Sequence, residues 1–224
     1  MKRHAATLSI AVAAALGLPV EPALAVKHQC PEINAVVAHH TSEELALVCQ
    51  AVAEASAFMR ENGFSVTTPI SVSVVDNVTG SFPHRAVGAY NRDTLHIEVL
   101  SYSECLNVSA QRSVFRVPMT RDLHRSFVVH EVTHAILESN FGAKPPPLAQ
   151  EYVGYVAQFA TMEPGLRSRI LAEYDVTPFE RESQINVDLY MMDPSAFGVM
   201  AWLHYRLPGN GPAFMSRILR RDVF

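Results

Sequence analysis

Two histidines and a glutamate stand close together in the middle of the chain, in the run His130-Glu131-Val132-Thr133-His134. Residues four apart on a helix lie on one face, one turn apart, so both imidazoles can bind the same metal ion. Imidazole nitrogens are common zinc ligands. Glu131 is rotated by about 100° from His130, so it points beside the metal, where it can act as a general base. The spacing therefore predicts a zinc site with a carboxylate next to it.

The residues that flank this motif are apolar, with Phe127-Val128-Val129 before it and Ala135-Ile136-Leu137 after it. They predict a long, largely buried helix. Imidazoles and a carboxylate buried without partners would cost several kcal/mol, and a metal ion supplies the missing partner. The alternative is a helix whose polar stripe faces solvent and binds nothing.

A catalytic zinc site of this type needs a third protein ligand and one open position. Glu151 is the preferred candidate, because it lies in the first turn of the next predicted helix, which is apolar nearly all round. The alternative is that Glu151 only stabilises the helix N-terminus through the macrodipole. Glu138 is a rival ligand, but it lies one turn beyond His134 on the same helix, where binding the same ion is awkward.

Together, His130, Glu131, His134 and Glu151 resemble the gluzincin zinc metallopeptidases, the broad class that includes thermolysin. In particular, the sequence is similar to small exported bacterial minigluzincins. The resemblance covers Thr120 to Met162 in specific residues. The gap before Glu151 is shorter than in thermolysin, and the exopeptidase signature Gly-Ala-Met-Glu-Asn is missing, so aminopeptidase activity is not implied.

The resemblance implies an α+β, zincin-like fold and a zinc-dependent hydrolase with a peptide or protein substrate. Zinc would polarise a water molecule and the scissile carbonyl, while Glu131 takes a proton and passes it to the leaving amine. A tyrosine or histidine would stabilise the oxyanion. Tyr155, one turn after Glu151, is the nearest candidate, although it can equally orient a metal ligand. More distant candidates are Tyr190, His204 and Tyr205.

The resemblance also implies that the strand before the metal-binding helix borders the substrate cleft. Here that strand is 94–100, and we expect it to pair with an extended substrate, as strand edges do in other peptide-binding proteins. Two other functions stay open. One is a zinc amidase that acts on a non-protein substrate, such as cell-wall material. The other is a catalytically silent binding protein with a zincin fold.

The first 25 residues have the three parts of a secretory signal peptide. Lys2 and Arg3 form a positive start, 5–18 is mostly apolar, and Ala23-Leu24-Ala25 matches a cleavage site. The apolar run is shorter than the roughly 20 residues of a membrane span. We therefore expect a mature protein that starts near Val26 and is secreted or periplasmic, with one domain over 26–224. The alternative is an uncleaved N-terminal anchor.

The charge of the chain excludes some partners. The chain has a net charge of −4, and without the signal it holds 16 basic and 21 acidic residues, a net charge of −5. Nucleic-acid binding requires a basic face, and binding to an anionic membrane requires a polybasic cluster. The sequence has neither, so we expect no nucleic acid and, after signal cleavage, no membrane as partner.

The chain has three cysteines, which permits one disulfide in an oxidising compartment and leaves one thiol over. A Cys30–Cys49 bond is the first choice, because a strand and a returning helix can bring the two residues together. Cys49–Cys105 is nearly as good an alternative.

Strands are predicted early in the chain and helices later, which favours an α+β fold over alternating α/β units. The predicted strands are 33–39, 70–75, 86–90 and 94–100, the last two joined in a hairpin through Asn91-Arg92-Asp93. The predicted helices are 43–61 with the capping box Thr41–Glu44, then 120–139, 148–162 and 167–174, and three more that begin at Thr177-Pro178, Asp193-Pro194 and Gly211-Pro212.

Overall fold

The structure is a computed structural model, and it describes residues 25–220 except 32, 80–85, 112 and 143. The predicted signal peptide therefore lies almost entirely outside the described residues. The α+β class is confirmed, because a mixed sheet forms near the N-terminus and helices make up the rest.

Five strands form one mixed sheet. They are β1 (Val26–Gln29), β2 (Ala35–His39), β3 (Ile70–Val75), β4 (Gly88–Asn91) and β5 (His96–Leu100). Their order across the sheet is β1-β2-β3-β5-β4. The central strands β2, β3 and β5 run parallel, and β1 and β4 are antiparallel edge strands. The predicted hairpin is thus confirmed as β4–β5, with β4 at the edge of the sheet.

Eight α-helices complete the described fold. They are α1 (Ser42–Glu61), α2 (Tyr102–Gln111), α3 (Arg121–Asn140), α4 (Pro147–Thr161), α5 (Pro164–Ala172), α6 (Val187–Met192), α7 (Pro194–Tyr205) and α8 (Pro212–Leu219). Within the described ranges, none of these helices has the length and apolar character needed to cross a membrane.

The main core lies where α1, α3 and α4 pack together beside the sheet. The sequence of β3 alternates as a half-buried strand should, with Ile70, Val72 and Val74 buried and the serines between them less so. Helix α1 begins at the predicted capping box, in which Thr41 accepts from the backbone N–H of Glu44 while the Glu44 carboxylate accepts from that of Thr41. Because α1 contacts both α3 and α4, it holds these two helices together.

Helices α3 and α4 start where local chemistry favours a helix N-terminus. The Thr120 side chain caps α3 by accepting from the backbone N–H of Leu123. Pro147 occupies the first turn of α4, where its missing N–H costs nothing. The two helices pack against each other, and α3 also contacts β4 and β5. This arrangement brings α3 and α4 face to face below the edge of the sheet.

The prediction of a helix that begins at Thr177-Pro178 is wrong. The segment is irregular until a short 3-10 turn at Glu182–Gln184, and α6 follows with Asn186 as its N-cap. The Gln184 side chain accepts from the backbone N–H groups of Glu180 and Arg181, so it caps the later turn instead. Burial of Phe179 against Phe197 anchors the segment without a helix.

Two elements that the sequence pattern did not predict are β1 and α2.

The cysteine prediction is confirmed in its first choice. Cys30 and Cys49 form a disulfide that joins the end of β1 to α1, and Cys105 is a buried free thiol.

Candidate metal centre

Three predicted ligands come together between α3 and α4. His130 Nε2 lies 3.3 Å from Glu151 Oε2, and His134 Nε2 lies 3.6 Å from Glu151 Oε1. The donor atoms of all three residues lie within 4.8 Å of one another, so the group could hold a metal ion. Each carboxylate oxygen thus faces a different imidazole, and the three donors surround one point.

The positions of the three ligands follow from the two helices. His130 and His134 are one turn apart on α3, as predicted, and Glu151 lies in the first part of α4. The imidazole of His130 lies directly against the backbone of α4 at Gly154. A Cβ added there would be only 2.8 Å from Cε1 and 2.9 Å from Nε2 of His130. The absence of a side chain at this position therefore lets His130 approach Glu151.

Burial and mutual charge set the protonation of the ligands. Burial disfavours the charged form of His134 and lowers its pKa to about 4. Burial acts in the same direction on His130, but the hydrogen bond and charge of Glu151 outweigh it and raise the pKa of His130. Burial opposes ionisation of Glu151, yet the two imidazoles lower its pKa to about 2. The site therefore favours an anionic Glu151 and a neutral His134, the forms that bind metals.

The donor atoms of His130, His134 and Glu151 are better satisfied by a shared divalent cation than by the ion pairs among the three residues. Among the described residues, the ion pairs of Glu151 are only with the two histidines, and no lysine or arginine neutralises it. Two imidazoles and one carboxylate are a donor set of catalytic zinc sites, which leave one position open. The structure therefore brings His130, His134 and Glu151 together as a candidate metal centre.

The rival ligand Glu138 does not join the group. Its Oε1 accepts from the Arg92 guanidinium and, at 3.0 Å, from Gln150 Nε2. An ion pair with Arg92 already satisfies its charge. The structure thus favours Glu151 over Glu138 as third ligand.

Glu131 lies next to the ligands and under the edge strand β4. The backbone N–H of Tyr90 hydrogen-bonds its carboxylate, and a Cβ added at Gly88 would lie 2.8 Å from Glu131 Cγ. Burial nevertheless dominates and raises the pKa of Glu131 to about 7. A carboxyl group with a pKa near neutrality is well matched to accept and return a proton.

Two of the four predicted oxyanion candidates reach the centre. The Tyr155 ring packs edge-on against His130, with 4.7 Å between ring centroids, and Phe115 and Phe197 enclose its other sides. Tyr190, on α6, hydrogen-bonds Glu151. A catalytic role for Tyr155 stays a prediction, and Tyr190 is now a second candidate of equal proximity.

The other two candidates lie in different contacts. The Tyr152 hydroxyl hydrogen-bonds His204 Nδ1, and the Tyr205 hydroxyl donates to Asn62 Oδ1. Their side chains are thus committed to the core rather than to the metal centre.

The prediction that strand 94–100 has an edge free to pair with substrate is wrong. Strand β5 lies between β3 and β4, so both of its edges are already paired. Within the described residues, strand β4 has the unpaired edge on this side of the sheet instead. The Leu100 N–H donates to Val87 O, so the alternation of an antiparallel ladder turns the backbone groups of Gly88 and Tyr90 away from β5. The contact of Tyr90 N–H with Glu131 agrees with this register.

Sequence reasoning missed several residues that shape the centre, and weak signals existed for only some of them. Gln150 hydrogen-bonds His134 and directly precedes Glu151 in an apolar helix, where a buried amide is unusual. Gly154 in the middle of a helix is unfavourable by propensity, which indicates close packing. Nothing local marks Gly88 and Tyr90, because their role depends on how β4 crosses α3.

Comparison with known proteins gives a single result. The model of one family, described as a family of unknown function (DUF6639), matches residues 35–224, which is most of the chain. No curated protein and no solved structure matches it.

Proposed function

We propose that this chain, which belongs to that family of unknown function (DUF6639), is an exported zinc-dependent hydrolase that cleaves peptide bonds. The observation that carries the proposal is the convergence of His130, His134 and Glu151, with Glu131 directly beside them. This combination of three protein ligands and an adjacent, partly buried carboxylate is the one that hydrolysis requires.

Zinc is the proposed ion because the donor set of two imidazoles and one carboxylate suits it and its preferred tetrahedral coordination. When bound, the ion would supply Lewis acidity, which polarises a carbonyl and acidifies water. The protein would contribute the rest of the chemistry through groups that are already in place.

Glu131 is the proposed general base. Its pKa of about 7, raised by burial, allows it to take a proton from the attacking water and later deliver it to the leaving amine. The Tyr90 N–H holds the carboxylate on one side and leaves it facing the centre. A substrate bound over the site would exclude water and thereby strengthen the hydrogen bond between Tyr90 N–H and the Glu131 carboxylate.

A tyrosine hydroxyl is the proposed donor to the oxyanion. Tyr190 is the better placed of the two candidates, because it lies on the short helix α6 and already donates to Glu151. With Glu151 engaged as a ligand, the Tyr190 hydroxyl would be free to donate to a substrate carbonyl. Tyr155 is enclosed by three aromatic rings, which supports a packing role for most of its surface.

The free edge of β4 supports a peptide as substrate. The backbone N–H and C=O of Gly88 and the C=O of Tyr90 point outward, next to Glu131, and an extended peptide can pair with them as an additional strand.

Export to the periplasm or medium is part of the proposal. Its sequence basis is the signal pattern that ends at Ala25, and the Cys30–Cys49 disulfide supports it, since such bonds persist in oxidising compartments.

The test uses purified protein that starts at Val26. We expect about one zinc per chain by elemental analysis, and chelator-sensitive cleavage of a broad peptide library. Glu131→Gln keeps the size of the side chain but removes the base, so zinc should stay bound while turnover falls about 10²–10⁴-fold. His134→Ala serves as the matched control, because it should lose the metal as well as the activity.

The possible outcomes separate the alternatives. Cleavage that survives in the Glu131→Gln protein would contradict Glu131 as the base. Bound zinc with no peptide cleavage would favour either an amidase with a non-protein substrate or a silent binding protein, and cell-wall fragments as substrate would separate these two. A wild-type protein without bound metal would overturn the proposal.

A further inference from the structure

The ring of His130 lies lengthwise along α4. Its Nε2 faces Glu151, and its ring atoms lie over Gly154, as the short distances from an added Cβ show. Residues three and seven positions after Glu151 share its face of the helix. Gln158 is the residue at seven, two turns further along, and it therefore lies toward the other end of the ring, where Nδ1 is.

The orientation of the Gln158 amide is fixed by its other neighbour. Its Nε2 lies 3.0 Å from Ser126 Oγ, and that hydroxyl donates its only hydrogen to Leu123 O at 2.7 Å. Ser126 Oγ can therefore only accept from Gln158, so the amide must present its NH₂ group to Ser126. This leaves Gln158 Oε1, an acceptor, on the side away from Ser126.

Two buried polar atoms in this region, Gln158 Oε1 and His130 Nδ1, have no hydrogen-bond partner. Gln158 is fully buried, and its Oε1 has no hydrogen-bond partner; neither does the buried His130 Nδ1. One is an acceptor, and the other is a donor when Nε2 is used as a ligand. The Gln158 side chain lies within hydrogen-bonding reach of the His130 imidazole. Buried polar atoms left unpaired are costly, and here each can satisfy the other.

We propose that Gln158 is the positioning residue of the metal centre: its Oε1 accepts from His130 Nδ1–H and thereby directs the Nε2 lone pair to the metal. This inference rests on the proposed zinc centre. Ser126 holds the amide, the amide holds the imidazole, and Gly154 lets the imidazole lie flat against α4. The chain thus fixes the tautomer of His130 with groups from both helices.

The chemical consequence is a centre held by neutral amides. Gln150 acts on His134 in the same way, because its Nε2 donates to Glu138 and to Pro145 O, which leaves its Oε1 to accept from the imidazole. A carboxylate in place of either amide would make the imidazole a more strongly donating ligand. With amides, Glu151 is the only anionic group among these three ligands and the two glutamines that hold them, so a bound metal would keep more of its positive charge.

A purely structural role for Gln158 predicts a different pattern of effects. In that case its replacement would change the stability of the fold and leave the metal affinity of the folded protein unaltered. Three variants separate the two roles. Gln158→Leu removes the acceptor at similar volume, Gln158→Glu keeps an acceptor oxygen, and Asn62→Leu removes a buried amide that bonds Tyr205 instead of a ligand.

The experiment measures the zinc affinity of each protein by competition with a chromophoric chelator, and the absorption spectrum of the Co²⁺-substituted forms. We expect Gln158→Leu to bind zinc about 10–100-fold more weakly than wild type, with an altered Co²⁺ spectrum. Gln158→Glu should recover most of the affinity. Asn62→Leu should lower the urea midpoint of the metal-free protein without changing zinc affinity.

Equal zinc affinity of wild type and Gln158→Leu, in a wild type that binds zinc, would overturn this inference and leave the proposed function standing. Failure of Gln158→Glu to recover affinity would also contradict it. A wild type that binds no zinc would overturn both proposals together.

Discussion

The floor of the candidate metal centre, formed by α3 and α4, differs in construction from its rim, formed by β4 and α6. The floor consists of helices of 20 and 15 residues, and its two histidine ligands are less than one-tenth exposed. The rim consists of elements of four and six residues, and Met192 on α6 is 84% exposed. The floor is thus rigid by packing, whereas the rim offers free hydrogen-bonding groups and apolar surface.

This difference separates two kinds of function. Metal binding requires ligands held in fixed directions, which buried helices provide. Substrate binding requires an open edge and groups that can change partners, which the rim provides. Apart from changes at the proposed base Glu131, which lies on α3, changes in the floor should therefore alter metal affinity and stability, and changes in the rim should alter turnover alone.

The largest expected effect in the rim is that of Tyr190→Phe. Loss of one donor to an oxyanion typically lowers turnover about 10²–10³-fold. Zinc content should stay at the wild-type level, because Tyr190 is not a ligand. Steady-state cleavage rates and elemental analysis of the same preparation measure both quantities.

Tyr155→Phe is the matched control, since it removes the hydroxyl of the other tyrosine near the ligands. We expect a smaller loss of turnover from it. A larger loss in Tyr155→Phe than in Tyr190→Phe would assign the oxyanion to Tyr155 and would place the oxyanion donor, like the base Glu131, in the floor.

In the floor, Gly154→Ala is expected to lower stability and zinc affinity, with a smaller effect than that of Tyr190→Phe on turnover. The added methyl group would meet the His130 ring at 2.8–3.1 Å, so the ring or the helix must move. We expect a loss of about 1–3 kcal/mol in the free energy of unfolding, as for other overpacked sites, together with weaker zinc binding. Urea unfolding of the metal-free protein and chelator competition measure the two effects.

Gly142→Ala is a suitable comparison, because no atom lies within 4 Å of its added Cβ. Its effect on unfolding should stay within about 0.5 kcal/mol. If Gly154→Ala were equally neutral, the close packing of His130 on α4 would not contribute to the rigidity of the floor.

The smallest expected effect concerns pH. Burial lowers the pKa of His124, on α3, and that of His204, on α7. Both are therefore held neutral in the fold, and the unfolded chain takes up protons first as the pH falls. Their contribution to stability is complete above the unfolded pKa of about 6.5 and is lost progressively below it. Urea midpoints with chelator present should fall between about pH 7.5 and pH 5.5.

His124→Gln tests the assignment, since glutamine can still donate to Leu100 O but does not titrate in this range. The variant should lose less stability than wild type over the same interval. An identical pH dependence in the two proteins would show that other groups cause it.

The ligands and the base in the floor could be predicted from the sequence, because the information for them is local, whereas Gln150 and Gly154 on α4 were missed. The positions of His130 and His134 follow from helical spacing, and Glu131 follows from its angle on the same helix. Glu151 required the additional inference that the next helix is buried. Each of these steps uses residues on one element or on two consecutive ones.

The rim could not be predicted in the same way. Strand β4 contributes through the edge it leaves free, and strand order is a property of the whole sheet. Gln184 caps the turn before α6 and Asn186 caps α6 itself, whereas the Thr177-Pro178 pattern suggested an earlier helix. Tyr190 was placed among distant candidates because its approach to Glu151 depends on where α6 lies.

The Cys30–Cys49 disulfide has a consequence for the lifetime of the fold in different compartments. It closes a loop with a sequence separation of 19, which removes conformational entropy from the unfolded chain worth about 3 kcal/mol. That is a large share of the roughly 5–15 kcal/mol that stabilises a typical domain. Because the bond fastens α1, and α1 packs on both α3 and α4, a reduced chain would unfold more often and expose its helices to proteolysis. The molecule is therefore most durable where thiols are oxidised and is readily cleared where they are not.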